Sequence, residues 1–130
     1  MLRSWLARLS EKDNVQALVQ DALGCACPST VFDHFQVQYM QGDPVPFIQI
    51  IVGNRLLLHL IHTDSTMLSQ ELILDLLKKG RNERDRRGLN RFRLVLVGSH
   101  ISPRKEWEEE LSSLKDSKVH LHFLPEFPLD

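Results

Sequence analysis

The sequence predicts a single α/β domain built on one mixed five-stranded sheet. Three observations carry this. Residues 47–52 and 55–62, two long apolar runs, flank Gly53-Asn54, a hairpin signal because glycine supplies the positive φ of a tight turn. A strand-like alternation at 35–39 precedes them across a short loop, so the first three strands should be antiparallel. Two further apolar runs, 92–97 and 119–124, each follow a stretch of helical periodicity. Crossovers of that length join parallel strands, right-handed by default. The element order is α-α-β-β-β-α-β-α-β.

The elements follow in order. Leu2, Trp5, Leu6 and Leu9 lie at helical spacing with Arg3 and Arg8 opposite, predicting an amphipathic helix over 1–9. Val15, Leu18, Val19, Ala22 and Leu23 predict a second helix from about 11 to 23, capped by Ser10 or Asp13 and stopped by Gly24. Pro28 suits a first helical position, with Cys27 as its N-cap, for a turn or two through Phe32 and His34. Phe35 to Tyr39 alternates as an edge strand does. In the hairpin, a two-residue loop pairs Val52 with Arg55, Ile50 with Leu57 and Ile48 with His59. It leaves Phe47, Gln49, Ile51, Leu56, Leu58 and Leu60 on the other face. Both faces are mostly apolar, so these are central strands. Thr63-Asp64-Ser65 offers an N-cap for a helix carrying Met67, Leu68, Leu72, Leu76 and Leu77, closed by Gly80. Residues 81–91 read as a charged loop. Ser102-Pro103 opens a helix with Trp107, Leu111 and Leu114 on one side. Residues 125–130 form an extended tail around Pro125 and Pro128. No repeat divides the chain, so 1–130 is one domain.

A chain of 130 residues can bury a real core. Its net charge of −1 imposes no nucleic-acid or membrane partner. No apolar run reaches the roughly 18 residues of a membrane span, and the opening residues lack a secretory-signal pattern. The two cysteines, Cys25 and Cys27, stand too close to staple distant segments, so a cytoplasmic protein is expected. Ribonuclease-H-like and restriction-nuclease-like cores share the element order. Two-metal hydrolysis, however, needs clustered carboxylates on the central strands. The first strand offers Gln36, Val37 and Gln38, the third runs from Leu56 to Leu60, and Asp43 and Asp64 alone rebuild neither site.

Three groups of residues could carry chemistry. The sharpest is Cys25-x-Cys27. Two close thiols form half of a soft-metal site, for zinc or an iron–sulfur cluster, or a redox pair. His34 is the histidine nearest to them in sequence, and a second copy of the chain could complete an all-thiolate ligand set shared between subunits. The plain alternative is two small, partly buried side chains. The second group lies past the carboxyl ends of the parallel strands, where ligands gather in such sheets: Ser99, His100 and Ser102 could hold an anion there. His59 and His62 point to opposite faces of the third strand, and His120 and His122 to one face of the last. The third group is basic. Residues 78–93 hold Lys78, Lys79, Arg81, Arg84, Arg86, Arg87, Arg91 and Arg93 against Glu83 and Asp85, a net +6 that leaves −7 elsewhere. Such a stretch can bind phosphate or nucleic acid, or can be a solvated segment pairing with Glu106, Glu108, Glu109 and Glu110.

The run from Leu23 through Gly-Cys-Ala-Cys-Pro to Phe32, followed by Val52-Gly-Asn-Arg-Leu-Leu57, resembles a small uncharacterised prokaryotic family with a helix, G-C-x-C-P-x-x-V-F and a V-G-x-R-L-L hairpin. The resemblance spans about half the chain. It points to Cys25, Cys27, Gly53 and Arg55 and implies no reaction. The function expected from the sequence is a small cytoplasmic accessory protein with a Cys25/Cys27 soft-metal or thiol-redox site, serving another protein or a second copy of itself. A phosphate- or nucleic-acid-binding module on 78–93 is the alternative. A third is an interaction domain using the N-terminal helix or an exposed sheet edge.

Overall fold

The computed structural model describes residues 2–42, 45–63, 69–98 and 105–129. They form α1 (Leu2–Leu9), α2 (Lys12–Gln16) continued by wide π-helical turns over Ala17–Ala22, a 3-10 turn (Ser29–Asp33), β1 (Phe35–Met40), β2 (Phe47–Val52), β3 (Leu56–His62), α3 (Gln70–Arg87), β4 (Arg91–Val97), α4 (Lys105–Ser113) and β5 (Val119–Leu124). The strands make one sheet in the order β1-β2-β3-β4-β5. β1, β2 and β3 are antiparallel, and β3, β4 and β5 are parallel. The mixed sheet and element order are those the sequence predicts. Among the described residues no helix is long and apolar enough to cross a membrane.

Each face of the sheet has its own core. On one face Ile48, Ile50, Val52, Leu56, Leu58, Leu60, Val95 and Val97 meet Trp5 and Leu9 of α1 and Val15, Leu18 and Val19 of the second helix. On the other, Ile51, Leu57, Ile61, Phe92, Leu94 and Leu96 meet Ile73, Leu76 and Leu77 of α3 and Trp107 of α4. The apolar side of α1 is thus buried in its own domain. Its basic side is engaged as well: the Arg3 guanidinium sits 5.0 Å over the Tyr39 ring and Arg8 donates to the Leu129 carbonyl. The tail is anchored by Phe127, whose ring stacks on Trp5 at 4.8 Å.

The hairpin register differs from the expected one by a residue. Val52 faces Leu56, Ile50 faces Leu58 and Gln49 faces His59, so Leu56, Leu58 and Leu60 share a face with Ile48, Ile50 and Val52. The loop is three residues long. Gly53 and Asn54 both take positive φ, and the Arg55 N–H donates to the Val52 carbonyl. A run of leucines accepts either register. The two polar side chains do not: here Gln49 Oε1 and His59 Nε2 meet at 3.1 Å in the core, and a slip would bury both unpaired.

The third helix also departs from expectation. Gly80 does not end it. The helix runs to Arg87 and closes at Gly88, with φ +69. Gly80 lies mid-helix because the Phe92 ring packs against it: a Cβ there would stand 1.9 Å from Phe92 Cζ. Most of the segment read as a charged loop is therefore helix. Its N-cap is Ser69, whose hydroxyl accepts from the Leu72 N–H. Thr63 instead donates from its backbone N–H and its hydroxyl to the Val97 carbonyl, prolonging the β3–β4 pairing. Asp64, Ser65, Met67 and Leu68 lie outside the described residues, as do Ser102 and Pro103. Neither Ser10 nor Asp13 caps α2, whose N-cap residue is Glu11. Ser10 donates to the Ala7 carbonyl instead.

Candidate functional site

The two cysteines lie in the loop that leaves the second helix at Gly24, where φ is +68. The loop is tied down at both residues. The Cys25 N–H donates to the Val19 carbonyl, and Gln20 Nε2 donates to the Cys27 carbonyl at 2.7 Å. The sulfurs are joined as a disulfide with the Cα atoms 5.4 Å apart. Both cysteines are half-buried against the edge of the core under α1 and α2. Cys27 is not the N-cap of the following turn. That turn starts at Ser29 after Pro28 and is five residues of 3-10 geometry, too short for an appreciable dipole at the sulfurs.

The disulfide opens onto a cleft of about 420 Å³. Pro28 and Val31 continue the wall that carries the cysteines, and Val52 and Leu56 form an apolar patch on the sheet. The polar lining is Arg55, Asn90, Arg91, Arg93 and His120. Topology explains the assembly. Arg91 and Arg93 occupy the face of β4 that bears Val95 and Val97, so they point to the side the N-terminal helices cover farther along the sheet. Parallel pairing sets Arg91 beside Leu56 and Arg93 beside His120. Arg55 joins because its carbonyl accepts from the N–H groups of both Asn90 and Arg91.

Two histidines hold the guanidiniums. Arg91 Nη1 lies 3.1 Å from His120 Nε2, and Arg93 Nη1 lies 2.8 Å from His122 Nε2. A guanidinium only donates, so both Nε2 atoms accept and both rings are neutral with the proton on Nδ1. Burial, with the neighbouring Arg93, pushes His122 down to about 4. Burial and then the Arg93 and Arg91 charges push His120 down. Arg93 is itself shifted down, by burial and by Arg91 beside it. Its Nε is buried without a hydrogen-bond partner among the described residues.

The other residues singled out in the sequence disperse. His34 lines a separate hollow with Gln36 and Ile51, on the sheet face away from the cysteines. No group of three or more His, Cys, Asp or Glu among the described residues could hold a metal ion. Ser99, His100 and Ser102 lie outside the described residues; the cleft itself is at the amino ends of β4 and β5. His62 packs edge-on against Trp5, and His59 is buried with Gln49, pushed down to about 4 by burial.

The basic stretch divides in two. Arg84 is buried and bridges Asp85 and Asp116, and Arg86 and Arg87 pair with Glu83. Lys79 pairs with Asp75. The carboxylates facing these arginines are therefore not those of Glu106 to Glu110. Lys78 and Arg81 also lie on α3. Only Arg91 and Arg93 reach the cleft.

Of the cleft residues, Asn90 and His120 have no place in the sequence-derived cysteine site, and Arg55 enters it only through the resemblance. One signal pointed to the region: Arg91, Arg93, His120 and His122 place polar side chains on one face of two adjacent, mostly apolar parallel strands. No protein-family model matches the chain, and no curated protein matches it.

Proposed function

We propose that this protein is a thiol–disulfide exchange protein whose working group is the Cys25–Cys27 pair. The observation that carries the reading is the pairing of the two sulfurs at the wall of a cationic cleft. A disulfide across three residues restrains little of the unfolded chain, well below the about 3 kcal/mol of a 15-residue loop. Stapling the fold is therefore a weak reason for it. In a reducing compartment, which the cysteine usage leads us to expect, such pairs are transient and take part in redox chemistry.

The step is ordinary exchange. A substrate thiolate attacks one cysteine sulfur, the S–S bond breaks, and the other cysteine leaves as a thiolate. A second substrate thiolate attacks the mixed disulfide, releasing a substrate disulfide and the first cysteine. Two electrons pass from two thiols to the pair, and the protons of those thiols pass to the two cysteines or to solvent. The guanidiniums of Arg55, Arg91 and Arg93 stabilise the departing thiolate, which favours cleavage.

Equilibration against a series of reduced-to-oxidised glutathione ratios, read by alkylation and mass spectrometry, tests this. A reversible two-electron transition is expected, together with a glutathione mixed disulfide on Cys25→Ser or Cys27→Ser. A pair that stays reduced at every ratio, or single-cysteine variants that never trap glutathione, would overturn the reading.

A further inference from the structure

We propose that Arg55, Arg91 and Arg93 form a binding site for a phosphate or phosphomonoester group beside the Cys25–Cys27 pair. This deepens the exchange reading by naming what its substrate carries, and its geometry stands without the redox step.

The three guanidiniums converge on one cleft of about 420 Å³. None has a carboxylate partner among the described residues, although Lys79, Arg84, Arg86 and Arg87 of the same basic stretch do. Arg91 and Arg93 are held by neutral histidine acceptors, which orient them and leave their charge uncompensated. Two like charges two residues apart on one strand face repel each other, and the buried Arg93 Nε still lacks an acceptor. A tetrahedral dianion relieves the repulsion, supplying charge and several acceptor oxygens to fork-shaped donors. Asn90 adds a neutral donor at the rim. The favoured ligand is small. No Phe, Tyr or Trp lines the cleft to stack a base, and the chain outside residues 78–93 carries −7, which repels a polyanion.

Calorimetric titration with inorganic phosphate, against chloride at equal ionic strength, tests the proposal on the full chain. Saturable phosphate binding is expected, with movement of the His120 and His122 ring resonances. Arg93→Gln should weaken binding about tenfold. Arg55→Gln, on an exposed turn, should weaken it in the same direction with no risk to the fold. Absence of saturable binding, or binding unchanged in Arg55→Gln and Arg93→Gln, overturns the phosphate site while leaving glutathione exchange intact. Absence of glutathione exchange in the parent protein, with phosphate binding present, overturns the redox reading alone. Tight binding of a single-stranded oligonucleotide that phosphate fails to displace overturns the small-ligand assignment.

Discussion

Gly80 and His59 show how single residues here depend on what faces them. In a helix interior, alanine normally exceeds glycine in stability by roughly 0.5–1 kcal/mol. At Gly80 the sign reverses because the added methyl would enter the Phe92 ring. Gly80→Ala should cost about 2 kcal/mol in urea unfolding. His59 lies between the Phe47 and Phe92 rings, at 4.3 and 5.0 Å, with Gln49 as its polar partner. Burial keeps it neutral, down to about 4, while in the unfolded chain it takes up a proton near 6.5. The unfolded state thus binds more protons between those values, and stability falls as pH drops from about 6.5 to about 4. Unfolding free energies measured across that range should show this fall, made shallower by His59→Gln. Glycine punctuates a sequence and histidine marks possible chemistry, but neither Phe92 over Gly80 nor the cage around His59 is written in their neighbours.

Among the elements, α3 is the one whose role changed most between sequence and structure. Its charged second half looks like a loop because few apolar residues follow Leu77. It stays helical because Arg84 is anchored, the residue only 8% exposed and its Nη2 2.6 Å from Asp116 Oδ2. Arg84 holds the Asp116 carboxyl below its usual range. Asp116→Ala would leave a buried cation without its main partner. A loss of about 3 kcal/mol is expected, with hydrogen exchange speeding up first in the C-terminal turns of α3. The hairpin carries a related lesson. Its strands were legible from apolar runs around Gly53-Asn54, but its register was not, because leucine-rich strands fit either way and the deciding contact is Gln49 with His59.

Across the whole molecule, two asymmetries matter. The N-terminal helices and the tail cover one sheet face only over β1 to β3 and the carboxyl end of β4, leaving the amino ends of β4 and β5 open as the cleft. Trp5 fixes that arrangement by stacking on Phe127 and meeting His62 edge-on. Phe127→Ala should therefore destabilise the whole domain by about 3 kcal/mol, seen as a lower Tm with no change in the β-sheet signal. The second asymmetry is of charge: Lys79, Arg84, Arg86 and Arg87 pair with carboxylates, whereas Arg91 and Arg93, beside the disulfide, do not. Of a run of eight cations in sequence, two arginines reach the cleft, where Arg55 joins them.

The sequence by itself determined the layered α/β architecture, the order of its strands' connections and the presence of a close cysteine pair. Those follow from hydrophobic period, turn residues and chain length, all local quantities. Only the tertiary structure decided which charges survive unpaired and what the cysteines face. Parallel pairing of β3, β4 and β5 aligns residues about 30 positions apart, and burial leaves some guanidiniums with carboxylates and others with histidines. Neither relation has a signature within any short window of the chain.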